Sequence, residues 1–130
     1  MKIKGFLGGI FIMLIFSTCN SKKTDNVNAP VTIEINYGEK MRTVNTPCEV
    51  GLTCLEALQH VAIVETHPVN EYVFVTTIDS LKGVPGIKGW YYKVNRKPSN
   101  KLSINQVVYP GDTITWVYKD DVCSRTVNNK

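Results

Sequence analysis

A flat apolar binding surface is the chemistry that the residues around position 90 could supply. In GWYYKVNRKPSN, residues 89–100, Trp90, Tyr91 and Tyr92 stand side by side. Successive side chains of a strand point to opposite faces, so three adjacent rings cannot all enter one core. Trp90 and Tyr92 share a face with Val94, whereas Tyr91 shares the other with Lys93 and Asn95. Either set can be the buried one, and in both cases a large ring faces outward. Gly83, Gly86 and Gly89 lie just before or at the start of this stretch, and positions without a side chain let backbone approach a ligand closely. Asn95 adds an amide that both donates and accepts. The candidate ligand-binding residues are therefore Gly86, Gly89, Trp90, Tyr91, Tyr92 and Asn95, rimmed by GVPGIKG.

Covalent and metal chemistry find little support. The cysteines are Cys19, Cys48, Cys54 and Cys123, with no C-x-x-C pair. His60 and His67 are seven apart, and no cysteine or carboxylate stands at ligand spacing, so neither a zinc nor a redox site is expected. No serine, cysteine or histidine set has a plausible partner, and no element carries paired carboxylates, so an enzyme is the least expected class. A bridge between Cys48 and Cys54, leaving Cys123 free, is one expectation, because both lie where the chain approaches a helix. The alternative is that Cys54 is a core residue of that helix.

The 130 residues suit one domain, preceded by an export segment. Lys2 and Lys4 open it, GFLGGIFIMLIF is its apolar run, and Ser17 and Thr18 lead to Cys19. That run is shorter than the ~20 residues a spanning helix needs. IFSTC resembles the lipobox of bacterial lipoproteins, with Phe16 in place of leucine and Thr18 in place of glycine or alanine. Residues 1–18 then form the signal, and Cys19 is the lipidated N-terminus; a plain secretory signal is the alternative. Residues 19–30 form a polar tether, whose last eleven residues, NSKKTDNVNAP, reach roughly 35–40 Å when extended. The formal charge of +4 becomes +2 once Lys2 and Lys4 leave with the signal. The remaining charges form no run or stripe, which excludes nucleic acid as a partner.

The elements that must position the aromatic strand follow from patterning. VTIEINY alternates through Val31, Ile33, Ile35 and Tyr37, a half-buried strand, and Gly38 and Glu39 turn it into KMRTVNT. Thr53 and Glu56 stand at capping-box spacing. Behind them Cys54, Leu55, Leu58, Val61 and Ala62 form the apolar stripe of a short helix, with His60 off the stripe. Such a helix must lie on a sheet to be stable. Strands are expected at residues 72–78, 90–94 and in TITWVY, with SLKGVPGIKG as a loop and Pro110 and Gly111 in a tight turn. The tail at 120–130 shows no periodicity. The expected fold class is α+β, a β-grasp domain over residues 31–119, with one short helix packed on a mixed sheet of about five strands.

Three blocks in series, TCLEALQHV, GWYYKVNRKPSN and SINQVVYPGDTITWVY, make the chain similar to the transcobalamin C-terminal-like domain family. The resemblance spans roughly residues 33–118 and implies the same β-grasp fold. It also implies a corrinoid ligand, cobalamin or a relative, contacted by the strand and loop matching GWYYKVN. The animal carriers hold that ligand against a large helical domain that this sequence does not contain. Arg96 stands where the family has glycine. A two-residue hairpin turn needs positive φ at both positions, so either the turn differs here or the register shifts. The function implied is a lipid-anchored corrinoid-binding protein of the cell envelope, at the outer membrane or cell surface, passing its ligand to a transporter or second binding protein. The competing reading is an anchored interaction module that binds a protein or glycan.

Overall fold

Val31, Ile33 and Ile35 are fully buried while their neighbours are half-buried, so the alternation in the sequence is the inside–outside alternation of β1 (Val31–Asn36). The computed structural model describes residues 28–121; residues 1–27 and 122–130, with Cys19 and Cys123, lie outside them. β1 forms the expected antiparallel hairpin with β2 (Met41–Thr46). On its other side it pairs in parallel with β8 (Thr113–Asp120), the last strand. β8 also carries β6 (Lys88–Val94), which is followed by the two-residue β7 (Lys97–Pro98). The sheet order is β2-β1-β8-β6-β7, so the final strand returns to the centre as the β-grasp plan requires.

The helix α1 (Cys54–Val61) begins as its sequence dictates. Thr53 accepts from the Glu56 N–H at 3.2 Å, and Glu56 Oε2 accepts from the Thr53 N–H at 2.9 Å, a complete capping box. Cys54, Leu55, Ala57 and Leu58 are its buried residues. The helix packs on β1 and β2, while His60 is exposed and lies 3.3 Å from the Thr46 hydroxyl. The domain is α+β, with one short helix and a mixed five-stranded sheet.

A second sheet departs from the expectation. β3 (Val64–Val69), β4 (Tyr72–Ile78) and β5 (Leu81–Lys82) form a separate antiparallel sheet. β4 stands where the sequence placed it, whereas β3 lies where no element was expected and β5 falls in SLKGVPGIKG, the stretch read as a loop. β3 is almost wholly exposed, contains Pro68 and is bulged between Glu65 and Thr66. An edge strand with no buried face shows no alternation, and its proline is tolerated because it lies at an edge. The other end of the domain also runs slightly further, with β8 reaching Asp120 and Asp121 buried.

The two sheets meet at Asp79. Its Oδ1 accepts from the Ile63 N–H at 3.0 Å, and its N–H donates to the Ile63 carbonyl at 2.8 Å. Oδ2 accepts from Arg42 Nη1 at 2.9 Å and from the Tyr37 hydroxyl. Arg42 also donates through Nη2 to the Val61 carbonyl at 2.7 Å, closing the end of the helix into the same cluster.

The turn after β6 is a two-residue hairpin turn despite Arg96. Val94 pairs with Lys97, leaving Asn95 and Arg96 as the two loop residues, at φ 49° and 69°. Neighbouring bonds hold this conformation. The Asn95 N–H donates to the Thr113 carbonyl at 2.8 Å, its Oδ1 accepts from the Thr113 N–H at 2.9 Å, and its Nδ2 donates to Asp112 at 2.9 Å. Arg96 thus sits in the left-handed region that costs a side-chain-bearing residue roughly 1–2 kcal/mol. Its 3.3 Å ion pair with Glu34 is exposed on the arginine side and offsets little of this. Arg96→Gly should raise stability by about 0.5–1 kcal/mol, after the entropic cost of glycine is subtracted. Urea denaturation of the two proteins checks the sign.

Candidate ligand-binding groove

The burial of β6 resolves the two faces. Trp90 is 8 % exposed and belongs to the core. Its ring meets Tyr37 edge-on, with centroids 5.9 Å apart at 89°, and lies 5.2 Å from Tyr118. Its indole N–H donates to the Leu81 carbonyl at 2.9 Å, tying β6 to the second sheet. Tyr92, on the same face, packs on Trp116 with centroids 5.2 Å apart and donates its hydroxyl to the Lys101 carbonyl. Tyr91 is the ring that turns the other way. It lies over Gly89, where a Cβ would come within 3.4 Å of it, and Lys119 Nζ stands 4.8 Å from its centre. Its hydroxyl donates to Asp121 at 3.0 Å, so the ring is half-buried and tethered.

Beside β6 lies a groove of about 740 Å³. The second sheet contributes Val69, Val73 and Phe74 to it; the segment after β7 contributes Ser99, Leu102 and Ser103. Gly83, Pro85, Lys88, Gly89 and Asp121 line it as well, together with Trp90, Tyr91, Tyr92 and Trp116. Apolar walls with a few polar groups are the usual composition of a small-molecule site.

One edge of β6 contributes backbone. Lys88 exchanges both of its backbone bonds with Val84, at 2.9 and 2.8 Å, and Val94 pairs with Lys97. Backbone groups alternate between the two edges of a strand. Trp90 and Tyr92 therefore direct their N–H and C=O groups to the edge away from β8, in the stretch that β7 does not reach. That open edge borders a groove lined by the same two residues.

Gly89, Trp90, Tyr91 and Tyr92 thus all line the groove, whereas Gly86 and Asn95 are not among its lining residues. Gly86, at φ 79°, gives its N–H to Asp121 Oδ2 at 2.8 Å, which pins the glycine-rich loop. The Asn95 amide is spent on Asp112 and Thr113. The expected Cys48–Cys54 bridge is corrected: both are free thiols. Cys54 points into the core, where burial and then the nearby Asp112 charge push its thiol up to about 12. Cys48 Sγ instead lies 3.8 Å from the carbonyls of Glu49 and Val108, its pKa also raised, by burial and then Asp112. Among the described residues no group of three or more His, Cys, Asp or Glu could hold a metal ion.

Residues 51–120 match the family described as a domain of unknown function, DUF4430. The chain belongs to the DUF4430 family. This DUF4430 domain superposes on a crystal structure from Ruminococcus gnavus, provisionally titled a metal binding protein. The TM-score is 0.63 at 16% identity, covering 72% of this chain and 98% of that one. It also superposes on haptocorrin in complex with Cbi, with a TM-score of 0.64 at 12% identity. That match covers 72% of this chain but 25% of haptocorrin, so the domain spans about a quarter of the carrier. No curated protein matches the chain. At these identities the likeness is one of fold. In the DUF4430 domain the groove residues not anticipated from the sequence include Phe74, Leu102, Ser103, Trp116 and Asp121. Asp121 fell in a stretch without periodicity, and Leu102 and Ser103 in one without regular structure.

Proposed function

We propose that this domain is a non-catalytic binding module that takes a corrinoid in the groove beside β6, carried at the cell envelope on a lipid attached to Cys19. The observation that carries the reading is the composition of the groove. Val69, Val73, Phe74 and Tyr92 supply apolar surface, with Trp90 and Trp116 buried behind them, and the open backbone edge at Trp90 and Tyr92 supplies donors and acceptors. A corrinoid presents an apolar macrocycle edge and peripheral carboxamides, which need both. The haptocorrin fold match and the three sequence blocks support the same ligand. The groove is open, so the domain would cover one side of the ligand and leave the other to a transporter or a second binding protein. Titrating cyanocobalamin with the mature protein and following its visible absorbance tests this. A saturable shift is expected, and a spectrum that stays unchanged at high micromolar protein counts against it.

One observation favours a second reading. An unpaired strand edge is also what an extended peptide pairs with when it adds to a sheet. Under that reading cyanocobalamin leaves no trace, and peptide binding is abolished by N-methylating alternate peptide bonds.

A further inference from the structure

The domain's two indoles differ in one respect that bears on the ligand. Trp90 gives its N–H to the Leu81 carbonyl, but the Trp116 Nε1 is buried with no hydrogen-bond partner, in a residue only 2 % exposed. A buried donor without an acceptor is costly, and native folds seldom retain one without a use. Trp116 is also a lining residue of the groove, and the Tyr92 ring, another lining residue, packs 5.2 Å from it.

We infer that Trp116 forms an acceptor subsite in the groove, its indole N–H hydrogen-bonding a neutral oxygen of the ligand, the carbonyl of an amide. This rests on the reading of the groove as a ligand site and names what the site recognises. An indole N–H only donates, so its partner must be an acceptor. Neutrality follows from the surroundings. Tyr92 and Leu102 line the groove with it, and a carboxylate buried among them would lose its hydration, a cost that a neutral carbonyl largely avoids. Of the groove's two lysines, Lys88 is 3.0 Å from Asp120 and Lys101 is exposed. Because the Trp116 nitrogen is covered in the free protein, a neighbouring side chain must shift for the acceptor to reach it.

The chain has two tryptophans, so the indole N–H region of a nitrogen–proton spectrum holds two signals. Nuclear Overhauser contacts to the Tyr92 ring assign the Trp116 signal without any variant. N-methylacetamide at tens of millimolar should move the Trp116 signal and leave Trp90 in place, while sodium acetate should move neither. A Trp116 signal that ignores N-methylacetamide, or follows acetate equally, overturns the subsite. Cyanocobalamin provides the second arm. If it binds and the Trp116 signal stays fixed, the groove reading stands and the subsite falls. If it does not bind but N-methylacetamide moves Trp116, the corrinoid falls and the subsite stands. Trp116→Phe should weaken cyanocobalamin binding by roughly 5–10-fold, the loss of one net hydrogen bond. Unchanged affinity in a folded Trp116→Phe protein would contradict the inference.

Discussion

Alanine at Trp90 should cost about 3–5 kcal/mol of folding free energy, as large-to-small changes at buried aromatics do. For a domain of this size that lowers Tm by roughly 15–30 °C. Three losses combine. The edge-on contact with Tyr37 and the packing on Tyr118 disappear, and the Leu81 carbonyl loses its donor. The last matters most for the groove, because Leu81 belongs to the second sheet, which supplies the groove's Val73 and Phe74. Tyr91→Ala should cost less, since that ring is half-buried on the opposite face, with its hydroxyl on Asp121 and Lys119 over its face. Thermal melts of the two variants, followed by circular dichroism, measure the difference. Equal losses would mean that β6 is not oriented as described.

Removing the Asp79 carboxylate is the other change with a large expected effect. Asp79→Ala leaves the Ile63 N–H, the Tyr37 hydroxyl and Arg42 without their acceptor, and the loss should be about 1–3 kcal/mol. The same carboxylate sets an acid limit on stability. Burial raises its pKa, but the hydrogen bonds from Tyr37 and the Ile63 N–H, then the Arg42 charge, outweigh that and hold it below the ordinary carboxylate value. A group depressed in the folded state contributes its full stability above its unfolded pKa, near 4, and loses it as pH falls through the lower folded value. The native protein should therefore lose Tm below about pH 4. Asp79→Asn should start lower and show a flatter acid limb. Tyr37 is shifted upward, by burial and then by Asp79, so its contribution is present below its unfolded pKa near 10 and is lost as pH rises through the folded value. Melting curves from pH 2.5 to 7 decide the matter; parallel acid limbs in the two proteins would remove Asp79 from this role.

What could be read from the sequence depended on whether a residue's role was local. β1 alternates because one face is buried, and Thr53 and Glu56 cap a helix three residues apart, so both were legible. Gly111 at φ 86° after Pro110, with the Asp112 N–H on the Tyr109 carbonyl at 3.0 Å, is likewise a local turn. β3 was not legible, because a strand exposed on both faces has no hydrophobic period to show. Arg96 misled in the opposite direction. Its residue type argues against the turn, but bonds from Asn95 to Asp112 and Thr113, some eighteen residues away, impose it. The site divides in the same way. Trp90, Tyr91 and Tyr92 announce themselves as a run, whereas Phe74, Leu102 and Trp116 meet them only because β4, the segment after β7 and β8 converge there. The two faces of β6 could not be ordered from sequence, since each carries an aromatic ring.

The reading of the groove stands or falls on a titration of the mature protein with cyanocobalamin, run beside Phe74→Ala. Phe74 is partly exposed and lines the groove, so its loss should spare stability while uncovering ligand surface. The expected result is saturable binding to the native protein and an affinity lower by roughly 1–3 kcal/mol in the variant, the scale of uncovering one large side chain. No saturable binding, or binding that Phe74→Ala leaves unchanged, would place the corrinoid elsewhere or nowhere on this domain.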